Sequence, residues 1–64
     1  MKRLKAFALE YLDPAGRCDY VEYFDTRQDA NEVREFAKTQ ECNEGFSFRI
    51  VRGEFLSGIF YPDP

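Results

Sequence analysis

Histidine and tryptophan are absent from these 64 residues, and there are only two cysteines. Without histidine the chain lacks the commonest general base, the commonest metal ligand and every Ser-His or Cys-His nucleophile pair. Cys18 and Cys42 form no CxxC pair and have no further cysteine or histidine to complete a zinc site. They are expected as reduced, partly buried thiols. A disulfide between them would need Cα atoms within about 7 Å, which nothing in the sequence indicates. The four glycines are isolated, so no Gly-rich phosphate loop is present. No carboxylate set has calcium-loop spacing. A chain this short also has little room for a water-excluding pocket of the roughly 300 Å³ that a small ligand needs. The sequence therefore reads as non-catalytic, with no metal and no cofactor. Long hydrophobic runs are lacking as well. Met1 to Glu10 starts basic and turns apolar, like a signal peptide, but the apolar run stops at Glu10. No run approaches the roughly 20 residues of a membrane span. A cytoplasmic protein with no membrane partner is expected.

What the chain has is aromatic residues, seven Phe and four Tyr, enough to build a core and exclude disorder. One domain spanning residues 1–64 follows from the length. A domain this small buries only about 60% of its unfolded surface, so its stability depends on how well the rings pack or on a partner.

Residues 3–12 alternate as a strand. Asp13-Pro14-Ala15-Gly16 reads as a turn: Asp opens it, Pro14 pre-sets φ, and Gly16 accepts a left-handed conformation. A three-residue hairpin with a glycine bulge puts Asp13 opposite Arg17. In that register Tyr11 faces Asp19, Leu9 faces Val21, Phe7 faces Tyr23 and Lys5 faces Asp25. Phe7, Leu9, Val21 and Tyr23 then form the core face. The other face carries Glu10 and Glu22 and meets solvent, although Ala6 and Ala8 leave space there for a helix to approach. Thr26 with Asp29 resembles a capping box, and Ala30, Val33, Phe36 and Ala37 form a helical stripe running to about Gln40. Asn43-Glu44-Gly45 breaks the helix. Phe46, Phe48 and Ile50 are expected to face the core. Arg52-Gly53-Glu54 marks a second hairpin, followed by a last strand over 55–61 whose register stays open. The order strand-strand-helix-strand-strand predicts an α+β domain: two layers, a four-stranded antiparallel sheet and one helix. One helix covers one face, so the second face is expected to be a binding surface or an oligomer interface.

Two sets of charges stand out. Glu10, Asp13, Asp19, Glu22 and Asp25 lie on or beside the first hairpin, with Tyr20 and Phe24 among them. Aromatics ringed by charge are typical interface anchors, and acids suit a basic protein groove or mimic phosphates. Glu10, Asp13, Asp19, Tyr20, Glu22 and Phe24 are therefore the candidate protein-binding residues. The competing reading is ordinary solubility. The basic set is Arg27, Arg34 and Lys38 on the helix, with Arg49 and Arg52 beyond it. These would contact phosphates in a nucleic-acid-binding module. The acidic balance argues against direct nucleic-acid binding, and Glu32 and Glu35 dilute the helix field.

Cys42-Asn43-Glu44-Gly45-Phe46-Ser47-Phe48-Arg49-Ile50 sets a Cys-x-x-Gly-x-x-x-Arg-Ile pattern directly after a helix. A glycine at 53 and a final aromatic-aliphatic strand follow. Over residues 26–60 this resembles the small phage anti-CRISPR proteins. The first hairpin has no counterpart in the resemblance, so no binding residue is carried over. The resemblance implies a class: a stoichiometric inhibitor that binds a CRISPR effector complex in a bacterial host and blocks its nucleic-acid path. A self-associating structural domain, paired as a homodimer, is the third reading.

Overall fold

The computed structural model describes residues 3–64; Met1 and Lys2, the start of the signal-like stretch, lie outside the described residues. Strand β1 spans Leu4–Leu12, β2 Cys18–Phe24, helix α1 Arg27–Lys38, β3 Ser47–Leu56 and β4 Ile59–Pro62, with a single 3-10 turn at Glu41–Asn43. All strand pairs are antiparallel, in the order β2-β1-β3-β4. The α+β architecture is as the sequence predicts. β1 is central, and its Leu9 is fully buried.

The first turn forms by the expected chemistry. Asp13 Oδ1 accepts hydrogen bonds from the backbone N–H groups of Ala15 and Arg17, each at 2.9 Å. Gly16 N–H donates to the Asp13 carbonyl at 2.8 Å, and Gly16 takes φ +86°. Asp13 N–H donates to the Arg17 carbonyl at 2.8 Å, so the two residues do lie opposite each other.

Beyond that point the register departs from expectation. Leu12 pairs with Cys18, but Tyr11 pairs with Tyr20, leaving Asp19 as an extra residue in a β-bulge. Every later residue of β2 is thereby turned over: Leu9 faces Glu22 rather than Val21, and Phe7 faces Phe24 rather than Tyr23. One face holds Phe7, Leu9 and Tyr11 with Tyr20, Glu22, Phe24, Phe48 and Ile50; the opposite face holds Ala6, Ala8 and Glu10 with Val21, Tyr23, Val51 and Phe55. Val21 and Tyr23 thus leave the expected core face. The gain is a run of edge-on rings, Tyr11 with Tyr20 at 5.4 Å and with Phe48 at 5.1 Å between centroids.

Helix α1 lies on the first of these faces, where the Arg27 guanidinium sits 5.2 Å above the Phe7 ring. Thr26 caps it in extended conformation, its Oγ1 accepting from Asp29 N–H at 3.1 Å. At the other end Thr39 Oγ1 donates to the Phe36 carbonyl, and Asn43 Nδ2 to the Ala37 carbonyl, so the C-cap and the 3-10 turn each satisfy one late helical carbonyl. Ala30 and Ala37, two turns apart, are the buried helical residues, and Val33 is half-buried. Phe36 departs from the expected stripe and is 67% exposed. It sits about 100° around the helix from Ala37, outside the narrow arc that meets the sheet.

The second hairpin is also displaced. Gly53 is not a turn but a buried interior residue of β3, which runs on to Leu56. The turn is Ser57-Gly58, both with positive φ (55° and 78°), joining Leu56 to its partner Ile59. A Cβ at Gly53 would meet the Tyr61 carbonyl oxygen and come within 2.5 Å of Phe60 Cζ. The open register of the last strand is settled as Phe55 opposite Phe60.

The face away from the helix is not bare. Tyr23 from β2 meets Phe55 at 4.8 Å and Phe60 from β4 at 5.3 Å. β2 and β4 are the two outer strands, about 14 Å apart at ordinary strand spacing if the sheet were flat. Their rings meet because the sheet curls and because Ala6, Ala8 and Gly53 beneath them have almost no side chain. Ala6 and Ala8 are buried as a result.

Candidate protein-binding edge

The bulge at Asp19 decides where the first candidate set lies. Tyr20, Glu22 and Phe24 sit on the helix side of β2, whereas Glu10 is on the opposite face. The expected single patch on the uncovered face is therefore split. Glu10 is neutralised there by Arg49, whose Nε donates at 2.7 Å. Asp13 is committed to its own turn. Glu22 accepts a 2.6 Å hydrogen bond from the Tyr11 hydroxyl. Burial, then this bond and the carboxylate charge, push the Tyr11 hydroxyl up to about 12. Among the described residues, no cation lies within salt-bridge distance of Asp19, Glu22 or Asp25.

The ring nearest these acids on the strand is accessible. Tyr20 is 56% exposed, and Tyr23, on the other side of the same strand, is also exposed. Phe24 is half-buried. Tyr23 was outside the expected set because the unbulged register placed it in the core.

The basic set does not converge as a whole, although Arg27 and Arg52 both lie at Phe7 on the helix side. Arg49 and Arg52 lie on opposite faces of the sheet, since Arg52 pairs with Phe7 and Arg49 with Glu10. Arg52 Nε donates to Asp63 Oδ2 at 2.8 Å. Arg34 Nε and Lys38 Nζ both reach Glu35 Oε2 at 3.2 Å. The Lys38 bond and charge hold the Glu35 carboxyl below its ordinary range against the opposing effect of desolvation, with a lesser contribution from Arg34. Arg27 covers Phe7. A depression of about 630 Å³ on the outer helix face is lined by Arg27, Gln28, Asn31, Glu32 and Glu35, and its two carboxylates repel a phosphate.

Cys18 and Cys42 are both exposed free thiols rather than partly buried ones. No group of three or more Cys, Asp or Glu with metal-binding geometry occurs among the described residues. No helix among them is long and apolar enough to cross a membrane. The glycine turn expected at position 53 within the anti-CRISPR-like stretch is displaced to Ser57-Gly58. No family model, curated protein or solved structure matches this chain.

Proposed function

We propose that this protein is a small non-catalytic binding module that docks on a basic surface of a protein partner through its first hairpin. One observation supports this reading most directly: the segment from Cys18 to Asp25 carries three carboxylates and no Lys or Arg, beside an exposed tyrosine on each face. Elsewhere Arg3, Arg34, Lys38, Arg49 and Arg52 each have a carboxylate partner within the chain, whereas Lys5, Arg17 and Arg27 have none among the described residues. The charge left for an outside partner on this strand is negative. Unpaired charge steers encounter and selects the partner, while the tyrosine rings supply buried contact area.

The sharper form of the proposal is an inhibitor acting in a bacterial cytoplasm on a CRISPR effector complex, its carboxylates standing where nucleic-acid phosphates would lie. A tagged pull-down from a CRISPR-bearing lysate, read by mass spectrometry, tests it. A stoichiometric effector complex is expected, lost with Asp19→Lys plus Asp25→Lys and weakened by salt. Neither residue makes an ion pair among the described residues, so the variant is expected to keep the fold, which circular dichroism checks. Recovery of the complex unchanged by charge reversal would sink the docking site. Nucleic acid alone, removable by nuclease, would replace the proposal with direct nucleic-acid binding.

A further inference from the structure

The sheet has two outer edges, and they are built differently. β4 is four residues long and ends at Pro62, which has no N–H to offer a neighbour. β2 has seven residues, contains neither proline nor lysine, and pairs with β1 only. The bulge at Asp19 leaves Tyr20 to Phe24 as its regular part. In an antiparallel edge strand, alternate residues turn N–H and C=O outward, away from the sheet.

We propose that the outer edge of β2 takes up an extended segment of the protein partner as a fifth strand, one that alternates Lys or Arg with apolar residues. This rests on the docking reading above and adds its mode and its sequence pattern. Tyr20 and Glu22 stand on one face of the edge, Val21 and Tyr23 on the other. A strand laid alongside places successive side chains on those two faces in turn. On the first face a cation meets the Glu22 carboxylate and the exposed Tyr20 ring together, favourable as a cross-strand charge pair and as a cation–π contact. On the second face it meets Val21 and Tyr23, which an aliphatic side chain suits. A second copy of this chain is the wrong occupant. Pairing β2 with β2 gathers Asp19 and Glu22 of both copies at one seam, with no Lys or Arg in either strand to offset them; Arg17 and Asp25 lie just beyond the two strand ends.

The test uses two synthetic peptides of identical composition, one alternating Lys and Val, the other with the Lys and Val residues in separate blocks. Each is titrated into isotope-labelled protein, with amide shifts and hydrogen exchange read by NMR. The alternating peptide is expected to shift and protect Tyr20 to Phe24 and to bind at least about tenfold more tightly than the block peptide. N-methylation of its ladder-facing amides is expected to abolish that difference. Equal binding of the two peptides would overturn strand addition while leaving the acidic docking surface standing, as simple counterion attraction. Protection confined to residues outside β2, or no binding by the alternating peptide, would also overturn it. The docking reading itself fails separately, through the charge-reversal pull-down.

Discussion

On the helix side of the sheet, large strand residues rise towards a helix that brings small ones: Phe7, Leu9 and Ile50 share the face, and the buried helical residues are Ala30 and Ala37. On the far side the sizes are exchanged. Ala6, Ala8 and Gly53 form the floor, and Tyr23, Phe55 and Phe60 reach over it from three different strands. Small against large is what lets either layer approach closely without voids. The difference lies in what supplies the cover. The helix is a separate layer held by its caps and one turn-rich connection. The rings belong to the sheet itself, so covering that face requires the sheet to curl. The described residues thereby cover two faces with one α-helix.

The most damaging way to break this arrangement is Leu9→Ala. Leu9 is fully buried on the central strand, and its truncation is expected to cost about 2–5 kcal/mol by urea unfolding, a large share of the stability of a domain this small. Gly53→Ala attacks the other face by overfilling it. The new methyl meets the Tyr61 backbone as well as the Phe60 ring, so β4 must move; a loss of about 1–3 kcal/mol is expected, with faster hydrogen exchange in Ile59 to Pro62. Relief by Phe60→Leu is expected to be partial, because the carbonyl oxygen remains. Full rescue would show that the ring alone sets the requirement for glycine.

Smaller effects sharpen the comparison. Thr26→Ala removes the helix cap and is expected to cost about 1 kcal/mol, while leaving the ring-current shifts of Tyr23, Phe55 and Phe60 unchanged. If those shifts moved, the two faces would not be independent. Tyr11→Phe removes the hydroxyl that donates to Glu22, on the helix side, and is expected to cost about 1 kcal/mol or less. Its clearer signature is in pH. The folded protein holds the Tyr11 proton up to about 12, against an ordinary tyrosine value near 10. The stabilisation is whole below pH 10 and is lost as pH rises towards 12, because the unfolded chain releases the proton first. Thermal melts between pH 9 and about pH 12 are expected to fall more steeply for the parent than for Tyr11→Phe. Parallel slopes would remove the Tyr11–Glu22 bond from the account of the helix-side face.

Several features of the fold were legible from residues a few positions apart. The Asp13 to Gly16 turn, the Thr26 cap, the helix after it and the β-forming stretches on either side all follow from local backbone chemistry and periodicity. So does the concentration of carboxylates on the first hairpin. The second turn was not among them: the sequence predicts it at Gly53, whereas the dipeptide Ser57-Gly58 between two apolar runs forms it. What the sequence by itself determined is therefore the element types, their order and the sign of the charge on β2. Tertiary structure alone decided the bulge at Asp19, the place of β2 at the edge, the exposure of Phe36 and the reason for Gly53. The bulge and the edge position depend on contacts between residues far apart in the chain, Tyr11 with Phe48 and β1 with β3, and the need for Gly53 on Phe60 and Tyr61 across the hairpin that follows it. Local propensity is the same for either register of the first hairpin, and only the packing of rings from other strands separates them.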